Sequence, residues 1–328
     1  MTNLVTGGTG FIGGHIVEQL LADGQPVRVL ARRSSTIGEH LKGAEIVYGD
    51  VLDKDSLTQA MQGVHTLYHA AAQFDTWTAD PQLMLETANQ GTCNVLDAAL
   101  AAGVRKVLHT SSGAVFGLPR NQTVTEASAA GPLPDVYYRS KQESEDLARS
   151  YIAKGLDIVF LNPSNVYGPR DTKPLGRSIV ALLNGTLPSA WHATFAIVYV
   201  VDVARAHILA AKKAAAGERF ILAEQNIGYK EFFGQVVALS GGKLPPFLPG
   251  PMIHATAILM EGLSRLTGKL PLVSVMQYKS GTQGTLFDGS KAQRELGLAY
   301  TPLQEALRTT LAWYWQHGDL KRKPTFLD

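Results

Sequence analysis

One cysteine occurs in 328 residues, so no disulfide framework can form within the chain and a small fold held by cross-links is excluded. Cys93 lies in the apolar helical pattern CNVLDAAL and reads as core packing. A charge excess of either sign is also missing. Lys plus Arg total 30 against 28 Asp plus Glu, which gives no electrostatic case for nucleic acid or an anionic membrane. No apolar run is long enough to span a bilayer. The most apolar late stretch, PMIHATAILMEGLSRL, is broken by His254, Glu261 and Arg265 and reads as a pocket-lining or packing helix rather than a membrane-surface one. NLVTGG at the start already reads as a strand entering a glycine turn, which leaves no room for a cleavable signal, so the expected address is the cytoplasm. Metal-ligand spacing is lacking too: His65 and His69 lie on or beside one strand, where four residues span roughly 13 Å, too far to share an ion. His109 reads as a satisfied strand residue.

What is present is a rhythm. Short apolar segments NLVT, PVRVLA, EIVYGD, TLYHA, KVLHTS and DIVFLN alternate with longer amphipathic ones such as GGHIVEQLLADG and ETANQGTCNVLDAALAAG. Strands apolar enough to be buried on both faces, separated by helices, form an α/β fold with a doubly wound, Rossmann-like parallel sheet. Ile16 with Leu20 and Val17 with Leu21 define one helical face, and Gly24 with Pro26 stops it. After Pro163 prolines and glycines multiply in NPSNVYGPRDTKPLG and GGKLPPFLPGP, marking a smaller C-terminal substrate-binding region. The expected division is 1–165 as the dinucleotide-binding domain, with 195–223 returning to it, and 166–194 with 224–328 as the substrate-binding region. FAIVYV and ERFIL are the strands expected to return. Ser290 and Gln293 suggest a capping box ahead of a late helix. The tail after Gly318, with its solvated KRK, is expected to be poorly ordered.

The first strand ends in GGTGFIGG, with Gly7, Gly10 and Gly13 at three-residue spacing. Between a strand and an amphipathic helix, small residues let the backbone approach a pyrophosphate whose charge meets the helix N-terminus. Phe11 and Ile12 start that helix beside the cofactor. An NAD site usually places an acid after the second strand to accept the ribose hydroxyls, whereas VRVLARRSS offers Arg32 and Arg33. Guanidinium groups there hold a 2′-phosphate, which favours NADP (NADPH) over NAD. Asp50 and Val51 in GDVLD come at another strand end, near the adenine, and Ala70, Ala71 and Ala72 in HAAA lie close to the dinucleotide.

The stretch VYYRSKQES places two tyrosines before a lysine on a helical pattern. Tyr137 is four residues before Lys141, and Tyr138 four before Gln142, so only Tyr137 is the helical neighbour of the ammonium. A close cation favours the phenolate and draws the phenol toward the range useful for proton transfer. Ser112, at the strand end HTSSGAVFG, faces the same crevice and can donate to a carbonyl oxygen.

TGGTGFIG, GDVLD, HAAA, HTSSGAVFG, YYRSK, NPSNVYGP and FDGSKAQRELGLAYTP, in this order, resemble the motifs of the extended short-chain dehydrogenases/reductases, the NAD(P)-dependent epimerase/dehydratase group. Within it the chain is most similar to dihydroflavonol 4-reductase-like proteins and hopanoid-associated sugar epimerases, including the stretch QFDTWTADP. The resemblance implies that Ser112, not Ser111, is the catalytic serine. It makes Tyr137 the general acid/base and gives Lys141 two tasks, lowering the tyrosine pKa and holding the nicotinamide ribose. It puts Pro163 and Ser164 beside the nicotinamide, Arg32 on the NADP phosphate, and Asn89 in a structural or water-relay role. A homodimer is common in the group. Phe74, Trp77, Phe116, Tyr167, Trp191 and Phe195 are candidate pocket linings for an apolar or aromatic carbonyl substrate. The expected activity is NADPH-dependent carbonyl reduction. The chief alternative is epimerisation or dehydration of a nucleotide sugar with tightly bound cofactor; FLNPS, where an arginine and an aromatic are usual, and Arg32 both depart from that pattern. A cofactor-sensing regulator without catalysis would lack the tyrosine.

Overall fold

The computed structural model describes residues 2–72, 80–119, 122–267, 271 and 273–328. In chain order, β1 (Thr2–Thr6), α1 (Phe11–Ala22), β2 (Val27–Ala31), β3 (Glu45–Tyr48), α2 (Lys54–Ala60), β4 (Val64–His69), α3 (Pro81–Ala101) and β5 (Lys106–Thr110) repeat the strand–helix alternation. Then come β6 (Thr123–Val124), α4 (Val136–Ser150), β7 (Ile158–Pro163), β8 (Asn165–Tyr167), α5 (Pro174–Leu183), β9 (Thr194–Tyr199), α6 (Val200–Lys213) and β10 (Arg219–Leu222). The chain closes with β11 (Gln225–Gly228), α7 (Tyr229–Ser240), α8 (Gly250–Thr267), α9 (Val275–Gln283), β12 (Leu286–Phe287) and α10 (Leu303–Gln316).

Seven parallel strands form one sheet in the order β10-β7-β5-β4-β1-β2-β3. The order reverses between β1 and β4, and a doubly wound sheet opens its ligand crevice at that point, outside the strands' C-terminal ends. Helices cover both faces. Ile16, Val17 and Leu20 of α1 and Val203, Ala206 and Ala210 of α6 pack on one face, with Val5, Val29 and Phe220 of the strands in the same cluster. Leu57 of α2, Val95, Leu96 and Ala99 of α3 and Ala148 of α4 fill the other with Leu4, Leu67 and Phe160. Strands apolar on both faces are what such a two-sided cover requires. The exception is EIVYGD: β3 is an edge strand, and Glu45 and Tyr48 are exposed.

Of the two late strands expected to return, ERFIL does so as β10, pairing with β7. FAIVYV does not. As β9 it pairs with β8 and β11 in a separate three-stranded sheet, whose core includes Tyr167, Ile197, Phe232, Leu307 and Tyr314. The chain needs β9 as a bridge there, while the following helix α6 goes back to the large sheet. The capping box does not form either. Ser290 donates its backbone N–H to Asp288 Oδ1 and its hydroxyl accepts from Arg294, so the following turn, Ala292–Leu296, is a π-turn without a side-chain cap. The tail is packed rather than loose: Leu320 is buried, Lys321 N–H donates to Asn184 Oδ1 at 2.8 Å, and Thr325 Oγ1 donates to Leu239 O at 3.0 Å. Lys321, Arg322 and Lys323 stay exposed. Among the described residues no helix is long and apolar enough to cross a membrane.

Candidate active site

The glycine turn is built for close approach. Gly7 has φ +72°, and a Cβ on it would stand 2.7 Å from the Ala70 backbone. A Cβ on Gly13 would lie 2.2 Å from Gly7 O. No other residue fits either position without moving backbone. The turn therefore lies flat against the end of β4 and leaves the N-terminus of α1 facing the crevice. His15 Nε2 bonds Pro169 O at 3.0 Å and Arg170 holds Glu18 with two bonds, at 2.8 and 2.6 Å, so the loop after β8 is tied to α1.

A cleft of about 1380 Å³ runs along the C-terminal ends of the strands. Every site residue expected from the sequence lines it: Gly7, Gly10, Phe11, Ile12 and Gly13; Arg32; Asp50 and Val51; Ala70, Ala71 and Ala72; Ser112; Tyr137 and Lys141; Pro163 and Ser164. The two arginines separate. Arg32 lines the cleft, while Arg33 turns its guanidinium over the Tyr48 ring, 5.3 Å from the centroid. The residues fit a dinucleotide: the glycine cradle would be filled by any Cβ, and Ser164 Oγ in the cleft is buried with no hydrogen-bond partner among the described residues.

Asp135 starts α4, its carboxylate accepting the backbone N–H groups of Tyr137 and Tyr138 at 2.8 and 3.1 Å as a helix N-cap does. From there Tyr137, Lys141 and Glu145 follow at four-residue steps on one stripe of the helix. The pairing expected to lower the tyrosine's pKa has a different outcome. Burial pushes the Tyr137 phenol up to about 12, against the pull of its hydrogen bond with Ser112. Lys141 Nζ lies 6.0 Å from the Tyr137 ring centre, and burial draws its own pKa down to about 8. The same dry surroundings that seat the pair disfavour both charges.

Glu145 is the residue the sequence reading passed over. It is 1% exposed, yet ion-paired to Arg219 of β10 and to Arg149. It also accepts from Ser111 Oγ and, at 2.8 Å, from Asn162 Nδ2. Burial alone would raise its pKa, but the Arg219 charge with the Ser111 and Asn162 bonds holds it below the usual carboxylate range. Asn162 Nδ2 also donates to Ser112 O at 3.1 Å. One carboxylate thus ties the end of β5, the end of β7 and the helix bearing Tyr137 into a single frame. The signal for Glu145 in the sequence was its step of four from Lys141. The Asn of FLNPS, read only as a departure from a pattern, is the amide that completes the frame.

Asn89 donates to Glu143 Oε2 at 2.8 Å and accepts from Ser144 Oγ at 3.4 Å, which ties α3 to α4 outside the cleft. Cys93 is half-buried on α3. His109 is not satisfied: its Nδ1 is buried with no partner among the described residues, and burial draws its pKa down to about 4, so the ring is neutral. It lines a chamber of about 40 Å³ behind Lys141, with His69, Thr92, Ser140 and Ser144.

Beyond Tyr137 the cleft becomes apolar. Phe195 meets Tyr229 edge-on at 4.5 Å between ring centres, Trp191 stands 5.3 Å from Tyr229, and Phe233 5.8 Å. Ile253 and Met260 of α8 and Met276 of α9 line the same cleft. Phe287 closes in beside Ser112, because a Cβ on Gly113 would meet its ring at 2.9 Å. Of the expected aromatics Trp191 and Phe195 line this wall. Phe116 and Tyr167 are buried in the core instead, and Phe74, Trp77 and most of QFDTWTADP lie outside the described residues. Tyr229 and Phe233 carried no motif signal, and Phe287, the first residue of FDGSKAQRELGLAYTP, was not read as a pocket residue.

The sequence pattern of the NAD dependent epimerase/dehydratase family matches residues 3–227, more than half of the chain. The chain belongs to that family. As a member of the extended short-chain dehydrogenase/reductase group it is an NAD(P)-dependent oxidoreductase-type enzyme. It is similar, at 33% identity over 97% of this chain and 95% of the relative, to a protein named putative dihydroflavonol 4-reductase from Synechocystis sp.. Sterol demethylase protein B of Methylococcus capsulatus is 32% identical over 97% of this chain and 99% of its own length. Among solved structures, gox2253 superposes with a TM-score of 0.85 at 33% identity, covering 98% of this chain and 99% of that chain. The NAD complex of UDP-glucose 4-epimerase from Thermus thermophilus gives 0.78 at 26% identity, covering 96% and 99%.

Proposed function

We propose that this family member is an NADPH-dependent reductase of apolar or aromatic carbonyl compounds, acting in reverse as an alcohol dehydrogenase. The observation that carries the reading is that one cleft is lined both by the Ser112, Tyr137 and Lys141 cluster and by an aromatic wall of Trp191, Phe195, Tyr229, Phe233 and Phe287. A carbonyl carbon joined to an apolar body fits that pair of surfaces. Gly7, Gly10 and Gly13 would hold the pyrophosphate on the N-terminus of α1, Arg32 the 2′-phosphate, Asp50 the adenosine, and Lys141 the nicotinamide ribose, with Pro163 and Ser164 beside the ring. NADPH, when bound, supplies the hydride. Ser112 orients the carbonyl oxygen by donating to it, and Tyr137 delivers the proton to that oxygen as charge builds there. A cationic Lys141 beside the phenol favours the tyrosinate that this transfer leaves. The Glu145–Asn162 frame keeps Ser112 and Tyr137 at one separation.

A second reading, redox-neutral epimerisation or dehydration of a nucleotide sugar, is favoured by Lys173 and Arg177, which line the same cleft and suit a diphosphate. The test is NADPH consumption with a panel of aromatic and aliphatic ketones and aldehydes, NADH in parallel, on protein checked for retained cofactor. Substrate-dependent oxidation of free NADPH supports the reductase. Retained cofactor without net oxidation supports the second reading.

A further inference from the structure

Helix α8 is apolar on both sides. Its inner side chains Ile253, Thr256 and Met260 line the cleft. Its outer ones, Met252, Ile258, Leu259, Leu263 and Leu266, are between 51% and 85% exposed. Those five are among only twelve large apolar side chains exposed on the described residues, a concentration on one helix that scattered surface hydrophobes do not produce. The sequence stretch that includes α8 is basic. Residues 241–285 hold Lys243, Arg265, Lys269 and Lys279 against the single acid Glu261, whereas the whole chain has 30 basic and 28 acidic residues. The net positive charge of the protein resides in this segment, hidden by the overall balance. Glu261, moreover, is turned to the start of α9, accepting the Val275 N–H at 2.8 Å.

We propose that the outer face of α8 docks this protein on an anionic membrane surface, with Leu259, Leu263 and Leu266 entering the acyl boundary and Arg265 and Lys279 meeting lipid headgroups. An exposed apolar stripe beside basic side chains is the combination that binds such interfaces. A second copy of the chain is the poorer occupant. An isologous pair would set this basic segment against itself, and like charges juxtaposed there oppose the contact. The placement also has a use: the helix that would touch lipid is the outer wall of the apolar cleft, so a membrane-dissolved substrate reaches Tyr137 past a single helix. That use rests on the carbonyl-reductase reading, whereas docking does not.

The experiment is flotation of the full-length protein with phosphatidylcholine vesicles, with and without phosphatidylglycerol. The wild type is expected to float with the anionic vesicles, and more weakly with phosphatidylcholine alone. Leu259→Glu/Leu263→Glu should cut the bound fraction by about tenfold or more, while NADPH binding and the melting temperature stay at the wild-type values. Should that variant fail to fold, Arg265→Glu/Lys279→Glu provides the second test, with loss confined to the anionic vesicles. A wild type that does not float, or variants that float equally well, would overturn the proposal. So would a dimer in vesicle-free solution that Leu259→Glu/Leu263→Glu dissolves without any vesicle binding by the wild type. None of these readouts depends on turnover, so failure of docking and failure of the reductase reading are distinguishable.

Discussion

The two walls of the cleft are built by different rules. The cofactor wall consists of strand ends and one glycine turn, where a Cβ at Gly13 would meet backbone at 2.2 Å and a buried carboxylate joins three elements. The substrate wall is assembled from α7, α8, α9, β9 and β12, whose side chains meet through ring faces and edges. Backbone contact tolerates almost no change, while apolar shape admits many solutions. On the proposed reading, one wall holds the cofactor and the reacting groups, and the other selects the carbonyl compound.

Substitutions on the two walls should accordingly differ in size and kind. The largest effect is expected from Tyr137→Phe, which keeps the ring and removes the proton: kcat should fall by about 10²- to 10⁴-fold with NADPH affinity retained, as read by steady-state kinetics and cofactor titration. Unchanged kcat would remove Tyr137 from the proton path.

Next comes Glu145→Gln. Removing one partner of a buried ion pair leaves Arg219 uncompensated and costs roughly 3–5 kcal/mol, measurable by denaturant unfolding. Because Glu145 is held below the usual carboxylate range when folded, its contribution is present above the unfolded pKa and lost as pH falls through the folded one. The acid limb of the stability curve should flatten in the variant, and kcat should fall more than the KM for NADPH.

Arg32→Ala should weaken NADPH by about 10- to 100-fold, the range for a lost charge-assisted hydrogen bond, and leave NADH nearly unchanged. Equal loss for both cofactors would contradict the phosphate assignment. Lys141 gives a pH signature in cofactor-free protein. Its pKa falls from 10.5 to about 8 on folding, so across that window the unfolded chain holds a proton that the folded one has released, and stability from this residue rises with pH. In thermal unfolding across that range, Lys141→Met should lack the slope. On the substrate wall the change is smallest: Trp191→Ala should raise the carbonyl KM by roughly 3- to 10-fold with kcat for a small aldehyde little altered.

Legibility in the sequence followed the same division. Gly7, Gly10, Gly13, Arg32, Ser112, Tyr137 and Lys141 sit at fixed offsets from strand ends, so their convergence on one cleft was readable from the sequence alone. The choice of Arg32 over Arg33 came from the family resemblance; what the charges alone did not show is that Tyr48 of the edge strand captures Arg33. Glu145 was hidden among exposed charges: burial of a carboxylate depends on Arg219 arriving from a strand 74 residues away. Tyr229 and Phe233 lie at no fixed spacing from any motif, and β9 left the large sheet because β8 and β11, not its own apolar pattern, supplied its partners. Charge behaved likewise: a balance of 30 to 28 concealed the basic excess of residues 241–285, the stretch that includes α8.

The most direct measurement follows the reacting hydrogen. With NADPH deuterated at the transferable C4 position and a carbonyl compound from the panel, the account predicts one deuterium on the new carbinol carbon and one NADP released per alcohol formed. Deuterium retained in the cofactor, while a sugar nucleotide is epimerised or dehydrated without net oxidation, would contradict it.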